Sequence, residues 1–175
     1  NVRRMPADFS SAPTVFRGTS YNGRCAGCHT VSPSNLPTTG TGALFTQDRV
    51  SAPYQEQLIN TSTGALITQF SGDSSDNDFS PDSSKIAWSD GNVRVYDVVT
   101  GTNVTVTGAN SGDLEIFPTW SSDASHIAFT KAVGSSWEHS SGALSILGGT
   151  SSIWTVPSGG GAAVQLIPPT AGWAT

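Results

Sequence analysis

Short stretches in which apolar and polar residues alternate make up most of this 175-residue chain, and Ser, Thr and Gly fill the gaps between them. In the stretches 95–99 and 153–156 the alternation has a period of two, which predicts β-strands with one buried face. Each stretch is followed by a pair typical of a hairpin turn, Thr100-Gly101 and Ser158-Gly159. No segment keeps a 3.6-residue apolar period over several turns. The pattern therefore predicts an all-β fold without long helices.

A segment of the chain repeats. Phe79 to Trp88 recurs as Trp120 to Phe129, and the serines that follow the first aromatic residue, Ser80 and Ser121, are 41 residues apart. Each copy consists of an aromatic residue, a serine, a turn and a short apolar strand that ends in another aromatic residue. A period of about 40–45 residues is typical of one four-stranded β-propeller blade. The repeat therefore predicts blades of four antiparallel strands.

A third, degraded copy precedes these two. Val31-Ser32-Pro33 aligns with the segment that begins at Phe79, and Ala43-Leu44-Phe45 aligns with Ile86-Ala87-Trp88, which leaves five extra residues within the run 34–42. The expected organisation is an irregular N-terminal arm over 1–28 and propeller-like blades within 29–175, at about 29–70, 77–108 and 117–168. The aromatic and apolar positions expected to be buried between neighbouring sheets are Val31, Phe45, Phe79, Trp88, Trp120 and Phe129.

Three blades are too few to close a propeller, which takes about four to eight. We therefore expect the chain to be part of a larger propeller, completed by further chain or by other copies. The alternative is an open, twisted β-sheet domain.

Composition narrows the class of partner. Charged residues are 12% of the chain, and its five Trp, seven Phe and three Tyr provide core material that disordered chains lack. The net charge of −5 and the isoelectric point near 4.9 argue against nucleic acid as a partner and favour a protein with a basic docking face. No run approaches the ~18 apolar residues that would span a membrane. The start of the chain is no signal peptide, so an exported protein would have lost a leader.

Both cysteines of the chain lie in the string Cys25-Ala26-Gly27-Cys28-His29, which has the Cys-x-x-Cys-His pattern of c-type haem attachment. The two thiols would form thioethers to one covalent haem c, and His29 would be the proximal iron ligand. The arm would then carry the haem to the rim of the propeller. Three alternatives remain open: a zinc site that adds His126 and His139, a redox-active cysteine pair, and a purely structural pair of thiols.

The repeats resemble the TolB-type β-propeller, whose blades carry a Ser-Pro-Asp-Gly turn followed by a Lys-Ile-Ala-Phe-like strand. The segment Ser80 to Trp88 follows that pattern closely, whereas the turn Ser121 to Ala124 lacks the Pro and the Gly. The string Cys25 to Pro33 is similar to exported cytochromes in which a Cys-x-x-Cys-His-x-x-Ser-Pro motif opens a blade. Together these resemblances cover about residues 20–170.

The resemblance to exported cytochromes implies a monohaem protein of the periplasm, cell surface or extracellular space. We expect it to transfer electrons to a redox partner protein, as a carrier more than as a catalyst. The alternative is a binding or scaffold module of the cell envelope, or of an extracellular assembly, in which the haem is ancillary. A haem-dependent oxidase or peroxidase is a third possibility, but no acid-base pair stands out for it.

The sixth iron ligand is expected from an insertion in the third blade. Relative to the second blade, the third has 17 extra residues, which match the run 134–150 and include His139. Long insertions on a rigid scaffold tend to be functional, and this one is rich in apolar residues that could cover a porphyrin. Met5 in the arm is the second choice, and an external or absent ligand is the third.

Three acids, Asp73, Asp76 and Asp78, lie close together between the first and second blades. Their spacing does not match a calcium-binding EF-hand loop. We expect a solvated connection there.

Overall fold

The structure, a computed structural model, describes residues 2–4, 10–12, 14–17, 26–48, 54–74, 76–108, 113–134, 136–140, 143–147 and 149–171. Within these ranges all regular structure is β-strand and there is no helix, which confirms the all-β prediction. The strands are β1 (Val2–Arg4), β2 (Thr14–Arg17), β3 (Ala26–Val31), β4 (Ala43–Asp48), β5 (Gln55–Asn60), β6 (Leu66–Ser71), β7 (Asn77–Phe79), β8 (Lys85–Ser89), β9 (Val93–Asp97), β10 (Asn103–Thr105), β11 (Asp113–Trp120), β12 (His126–Val133), β13 (Ser136–Ser140), β14 (Ala143–Leu147), β15 (Thr150–Pro157) and β16 (Val164–Ala171).

Three of the sheets have four antiparallel strands in the order expected of propeller blades. Blade 1 consists of β3, β4, β5 and β6, blade 2 of β7 to β10, and blade 3 of β11, β12, β15 and β16. The sheets therefore run over 26–71, 77–105 and 113–171, where the repeat predicted 29–70, 77–108 and 117–168. Two further pairs, β1 with β2 and β13 with β14, form two-stranded sheets. The arm that was expected to be irregular thus contains a strand pair.

Each blade has the same turn between its first and second strands. The N–H of a serine donates to the carbonyl group of the residue that begins the second strand, and the N–H of that residue donates to the serine Oγ. The pairs are Ser32 with Ala43, Ser80 with Lys85, and Ser121 with His126.

These serine pairs correct the alignment of blade 1 by one residue. Ala43 is the counterpart of Lys85, so Phe45 is the counterpart of Ala87 and not of Trp88. The connection after Ser32 consequently has six extra residues instead of the expected five. Since successive side chains lie on opposite faces of a sheet, a shift of one residue changes the face. Phe45 therefore faces blade 2, while Trp88 faces back towards blade 1.

The core lies in two contacts between facing sheets. The first joint, between blades 1 and 2, is built of Leu36, Ala43, Phe45, Leu58, Phe79, Ile86, Trp88, Tyr96 and Val98, with Ile67 and Phe70 packed against them. The second joint, between blades 2 and 3, is built of Ala87, Val93, Val95, Val106, Ile127, Phe129 and Val156, with Trp120, Trp154 and Ala163 at its margin.

Phe70 is the centre of an aromatic group in the first joint. Its ring stacks on Tyr96 at 4.2 Å between centroids and makes tilted contacts with Trp88 and Phe45.

Four of the six residues that were expected in the core are buried, namely Phe45, Phe79, Trp88 and Phe129. Trp120 is half-buried at the margin of the second joint, where its indole Nε1 donates to the carbonyl oxygen of Asp78. The prediction for Val31 is wrong, because 57% of this residue is exposed. Val31 pairs with Leu44 on the face turned away from blade 2, and the described residues provide no preceding blade to cover it.

Polar contacts supplement both joints. In the first joint, the Ser83 hydroxyl donates to the Ser34 carbonyl group and accepts from the Ser34 N–H, both at 3.0 Å. In the second, the Asp78 carboxylate accepts from the Thr119 hydroxyl at 2.8 Å and from the Trp120 N–H at 3.0 Å. The expectation of a merely solvated connection is therefore wrong for Asp78, because its carboxylate joins two blades.

Candidate functional site

The haem-type motif lies at the start of the innermost strand of blade 1. Strand β3 begins at Ala26, so the motif belongs largely to the blade and not to an arm that precedes it. Cys25 lies outside the described residues, as does Met5. Cys28 is described through its backbone in β3, and His29 is exposed. Within the described part of the motif, His29 is therefore an accessible side chain on the first strand of blade 1.

A β-bulge interrupts β3 at the motif. Gly27 pairs with Gln47 and Thr30 with Phe45, so Cys28 and His29 together oppose the single residue Thr46. Bulges of this kind redirect side chains and are frequent next to functional sites. The alternation of faces that a regular strand imposes on neighbouring residues is broken at the Cys28-His29 pair.

The same bulge occurs in blade 3. There Ile116 pairs with Thr130 and Thr119 with Ala128, so Phe117 and Pro118 together oppose Phe129. Counted from the serine that closes each first strand, Cys28 and His29 are the counterparts of Phe117 and Pro118. Blades 1 and 3 thus share the bulge, which coincides with the motif in blade 1, whereas in blade 2 the corresponding Asn77 pairs directly with Trp88.

Of the side chains that would hold a haem, the structure describes His29, whose exposed imidazole is accessible to an iron ion. The bulge lets the backbone depart from the regular strand at Cys28, where a second thioether would form. Zinc fits less well, because His126 begins β12 whereas the insertion that carries His139 leaves from the end of that strand. An eight-residue strand spans about 26 Å, so the insertion that carries His139 leaves blade 3 at the end opposite to His126.

The insertion in blade 3 is a β-hairpin. Strand β13 pairs with β14 in a regular register that sets His139 opposite Leu144. The hairpin follows Val133, which pairs with Asp113 at the beginning of β11. Because β11 is the counterpart of β3, the hairpin leaves blade 3 at the same end at which the motif begins in blade 1.

A buried carboxyl group lies in the row of residues that crosses blade 1 from the motif. Gly27 pairs with Gln47, Gln47 with Glu56, and Glu56 with Phe70. Glu56 is fully buried, with 0% of the residue exposed. A carboxyl group in such a place is costly unless polar partners surround it.

The Glu56 carboxyl group has three polar contacts. Oε1 accepts from the Ser74 N–H at 2.7 Å and Oε2 from the Ser74 hydroxyl at 2.9 Å. The Gln47 amide Nε2 lies 3.4 Å from Oε1 of Glu56 and donates to the carboxylate of Asp73 at 3.0 Å. One amide group thus connects the buried acid to Asp73, which is half-buried in the connection after β6.

The pKa of Glu56 is raised from 4.5 to about 7, mainly by burial. The negative charge of Asp73 contributes to this increase, whereas the hydrogen bonds from Ser74 and Gln47 oppose it. The backbone at Gly72 helps to bury Glu56. A Cβ atom added to Gly72 would lie 2.7 Å from the Glu56 Cγ and 3.1 Å from the Trp88 ring. The backbone at Gly72 is therefore packed closely against the acid and blade 2.

The sequence analysis did not identify Glu56, although a signal for it exists. Register makes Glu56 the counterpart of Val93 in blade 2 and of Ile153 in blade 3. An acid at a position that is aliphatic in the other two copies marks a buried polar group. The comparison with blade 2 needs no structure, because an alignment of Thr63-Gly64 with Thr100-Gly101 places Glu56 at the position of Val93.

No protein-family model matches the chain, and no curated protein matches it. Solved structures do. Oligogalacturonate lyase from Vibrio parahaemolyticus superposes with a TM-score of 0.59 at 13% identity over 85% of this chain. TolB from Acinetobacter baumannii gives 0.50 at 19% identity over 78%, and a putative TolB from Agrobacterium tumefaciens gives 0.51 at 13% over 82%.

The chain has a TolB-like β-propeller fold. Identities this low establish the fold alone. The chain spans 42% of the lyase, 32% of the Acinetobacter TolB and 66% of the Agrobacterium protein.

Within the TolB-like blades, the turn residues at the positions of the family's Asp and Gly have a defined geometry. Asp82 accepts from the Ser80 hydroxyl and the Ser84 N–H, and these hydrogen bonds hold its pKa below the ordinary value. Ser83 and Ala124 follow the turn aspartates with φ of 59°, in the left-handed region that glycine adopts freely. In the described residues, no helix has the length and apolarity needed to cross a membrane.

Proposed function

We propose that this chain belongs to a propeller that acts outside the cytoplasm as a binding or scaffold module of the cell envelope or of an extracellular assembly. The observation that carries this proposal is the TolB-like fold, in which apolar joints hold successive blades together. Such a body positions connections, including the β13–β14 hairpin, on a rigid support.

Exposure on blade 3 supports completion of the module by further chain or by another copy. Leu58 in blade 1 and Val95 in blade 2 are buried by the blade that follows. Their counterpart Thr155 in blade 3 is half-buried, and Val164, which pairs with Thr155, is 57% exposed. A further blade or a second copy would cover this face.

Light scattering after size-exclusion chromatography tests the self-assembly form of this proposal. We expect the chain to associate as its concentration rises, and Val164→Lys to abolish that association. Val99→Lys is the matched control, because Val99 is equally exposed but lies in a turn of blade 2. A chain that stays monomeric at every concentration contradicts assembly from copies and leaves further chain as the source of the next blade.

We further propose that blade 1 carries one covalent haem c and that the module transfers electrons. The motif Cys25 to His29 supports this, together with the exposure of His29 and the bulge at Cys28-His29. Cys25 and Cys28 would hold the haem through thioethers, and His29 would bind the iron from the proximal side. The bound haem would supply a one-electron centre, and the protein would determine its exposure and its partner.

His139 is the proposed distal ligand and Met5 the second choice. Support for His139 comes from topology, because its hairpin leaves blade 3 at the end where β3 begins in blade 1. Two imidazole ligands would favour a lower potential than a histidine and a methionine. Paramagnetic resonance spectra of His139→Ala and Met5→Ala would distinguish the two: loss of the low-spin signal in Met5→Ala alone would assign the arm.

Intact mass and a pyridine haemochrome spectrum test the haem itself. Protein matured with a c-type haem attachment system should exceed 18.1 kDa by one haem. Cys25→Ser or Cys28→Ser should greatly reduce maturation, and His29→Ala should perturb the Soret band. His126→Ala is the control, since His126 is exposed at the start of β12 in blade 3. A colourless protein, or colour that acid acetone removes completely, contradicts this proposal.

The proposed redox partner has a basic docking face. The net charge of −5 would attract it, and the haem propionates would add to that charge. Electron exchange with a cationic partner protein should therefore slow as ionic strength rises, because salt screens exposed charges over about 8–10 Å. A rate that does not depend on salt would contradict a basic partner.

A further inference from the structure

We propose that Glu56 is the proton-accepting group of a proton-coupled electron transfer, taking up a proton when the haem of blade 1 is reduced. This inference rests on the proposed haem function and names a residue that serves it. Four observations support it: the position of Glu56 relative to the motif, its burial, its hydrogen bonds and its acidic character.

The position of Glu56 is fixed by strand pairing. Gly27 of the motif and Glu56 are both paired with Gln47, so they are two strand spacings apart in one row of blade 1. Two spacings amount to about 10 Å. At about 10 Å and an effective dielectric constant of about 20, a unit charge alters a protonation equilibrium on the order of tenfold, and a haem that extends from the motif away from Glu56 would have a smaller effect.

Burial makes Glu56 responsive to that change. A fully buried carboxyl group is poorly screened by water and ions, so it is affected by nearby charges more strongly than a surface acid is. Its pKa of about 7 places both protonation states within reach at neutral pH. The Ser74 hydroxyl can serve either state, because it can donate to the carboxylate or accept from the protonated acid.

Other charged groups face Glu56 from the elements packed against it. Asp73, beside Ser74, is linked to Glu56 through the amide of Gln47 on β4. From blade 2 the facing element is β8 with Trp88, and Arg94 lies over that ring at 5.6 Å while it is paired with Asp90 at 2.8 Å. Asp76 follows in the connection between the blades.

No other described cation is placed against Glu56 by these contacts. A proton is therefore the positive charge available to compensate an added electron. Asp73 is half-buried, so it connects the site to solvent.

The coupled step balances in charge and atoms. In the haem-loaded protein a donor protein would supply one electron to the haem, and the Glu56 carboxylate would take one proton from solvent to become a carboxylic acid. Oxidation by an acceptor protein reverses both transfers. No bond other than the O–H bond of Glu56 is formed or broken.

The test is the reduction potential of the haem-loaded protein between pH 5 and pH 9. We expect the potential to fall as pH rises through about 7, because the proton affinity of Glu56 should be up to about tenfold higher in the reduced protein, which corresponds to a total change of up to about 59 mV for one electron. Glu56→Gln, which keeps the shape of the side chain, should flatten this region. Ser74→Ala should move it to higher pH, because the hydroxyl lowers the Glu56 pKa. Asp123→Asn, in the turn between the first two strands of blade 3, is the control for loss of a distant acid and should leave the curve unchanged.

Redox-difference infrared spectroscopy provides a second measurement. A carboxylic acid C=O band should appear on reduction in the wild type and be absent in Glu56→Gln. Haem-loaded protein whose potential is flat near pH 7, or keeps its slope in Glu56→Gln, overturns the role of Glu56 while the haem proposal stands. Protein that binds no haem overturns the haem proposal instead, and the two failures are distinguished by colour.

Discussion

The two joints between blades follow one plan but differ in what they bury at corresponding positions. The first joint places the carboxyl group of Glu56 where the second places the methyl groups of Val93, and both residues are fully buried. The first joint also gathers an aromatic group around Phe70, whereas the second is mainly aliphatic. Repetition of a fold therefore leaves individual joints free to acquire ionisable chemistry, provided that local partners such as Ser74 are present.

Removing the largest ring of the first joint should have the largest effect on stability. Trp88→Ala should cost about 4–5 kcal/mol, at the upper end of the range for aromatic residues in cores, because Trp88 packs on Phe70 and Gly72. Urea unfolding monitored by fluorescence and circular dichroism measures the loss. Phe129→Ala in the second joint is the comparison, and a loss below about 1 kcal/mol for Trp88→Ala would show that the aromatic group is not what holds blades 1 and 2 together.

Placing a carboxyl group at the corresponding position of the second joint should destabilise the protein, because the polar partners of Glu56 are absent there. Val93→Glu should destabilise by about 3–4 kcal/mol at pH 8, because it buries an unpaired charge. Glu115, a buried acid, pairs with Gly91 two residues before Val93, and its carboxylate would repel the new one. The loss should be smaller at pH 5, where the new acid can be protonated, and Val93→Gln should show no such pH dependence. Equal losses for both variants at both pH values would mean that shape, and not charge, is decisive.

The native acid of the first joint should make stability depend on pH. The folded protein keeps the Glu56 proton up to about pH 7, whereas the unfolded chain releases it near 4.5. The free energy of unfolding should therefore fall as pH rises from about 4.5 to about 7, by about 3 kcal/mol, since one pKa unit corresponds to ~1.4 kcal/mol. Glu56→Gln should remove this pH dependence, and its free energy of unfolding should exceed that of the wild type at pH 8. Denaturant midpoints at pH 4, 6 and 8 measure it, and an unchanged slope in Glu56→Gln would contradict the burial of a titrating acid.

The polar contacts of the two joints should have the smallest effects. Ser83→Ala should cost about 1–2 kcal/mol, because it leaves both the N–H and the carbonyl group of Ser34 without this partner. Thr119→Val should cost about 0.5–1 kcal/mol, because the Asp78 carboxylate keeps its bond from the Trp120 N–H. Thermal unfolding of both variants checks the order, and a larger loss for Thr119→Val would reverse our ranking of the two contacts.

The repeat made the blades predictable, because a serine, an aspartate and an alternating apolar strand recur at Ser80 and at Ser121. Blade 1 was harder. Its opening connection contains six extra residues, and nothing in the run 34–42 distinguishes Ala43 from Leu44 as the counterpart of Ile86. The hydrogen bonds between Ser32 and Ala43 identify Leu44 as the counterpart of Ile86. A local pattern could therefore identify the strand but not its register, and register determines which face a side chain joins.

The site divides in the same way. The spacing of Cys25, Cys28 and His29 carries its own chemistry, so it could be recognised without a structure. The sequence could mark Glu56 as an acid at an aliphatic position but could not predict its partners, because they are assembled from Ser74 and Gln47 on other segments and from a neighbouring blade. Burial is a property of the assembled joint, and the sequence QEQLIN looks polar at its start.

The bulge that blades 1 and 3 share bears on how such a protein can evolve. The segment 114–118 has the length of Cys25 to His29 and ends at the same irregularity of the first strand. A blade such as blade 3 thus already has the bulged backbone at the positions of Cys28 and His29 without any cysteine in it. Substitution alone, with no insertion or deletion to disturb the ladder, can then introduce a Cys-x-x-Cys-His string into one blade and leave its sister as plain scaffold.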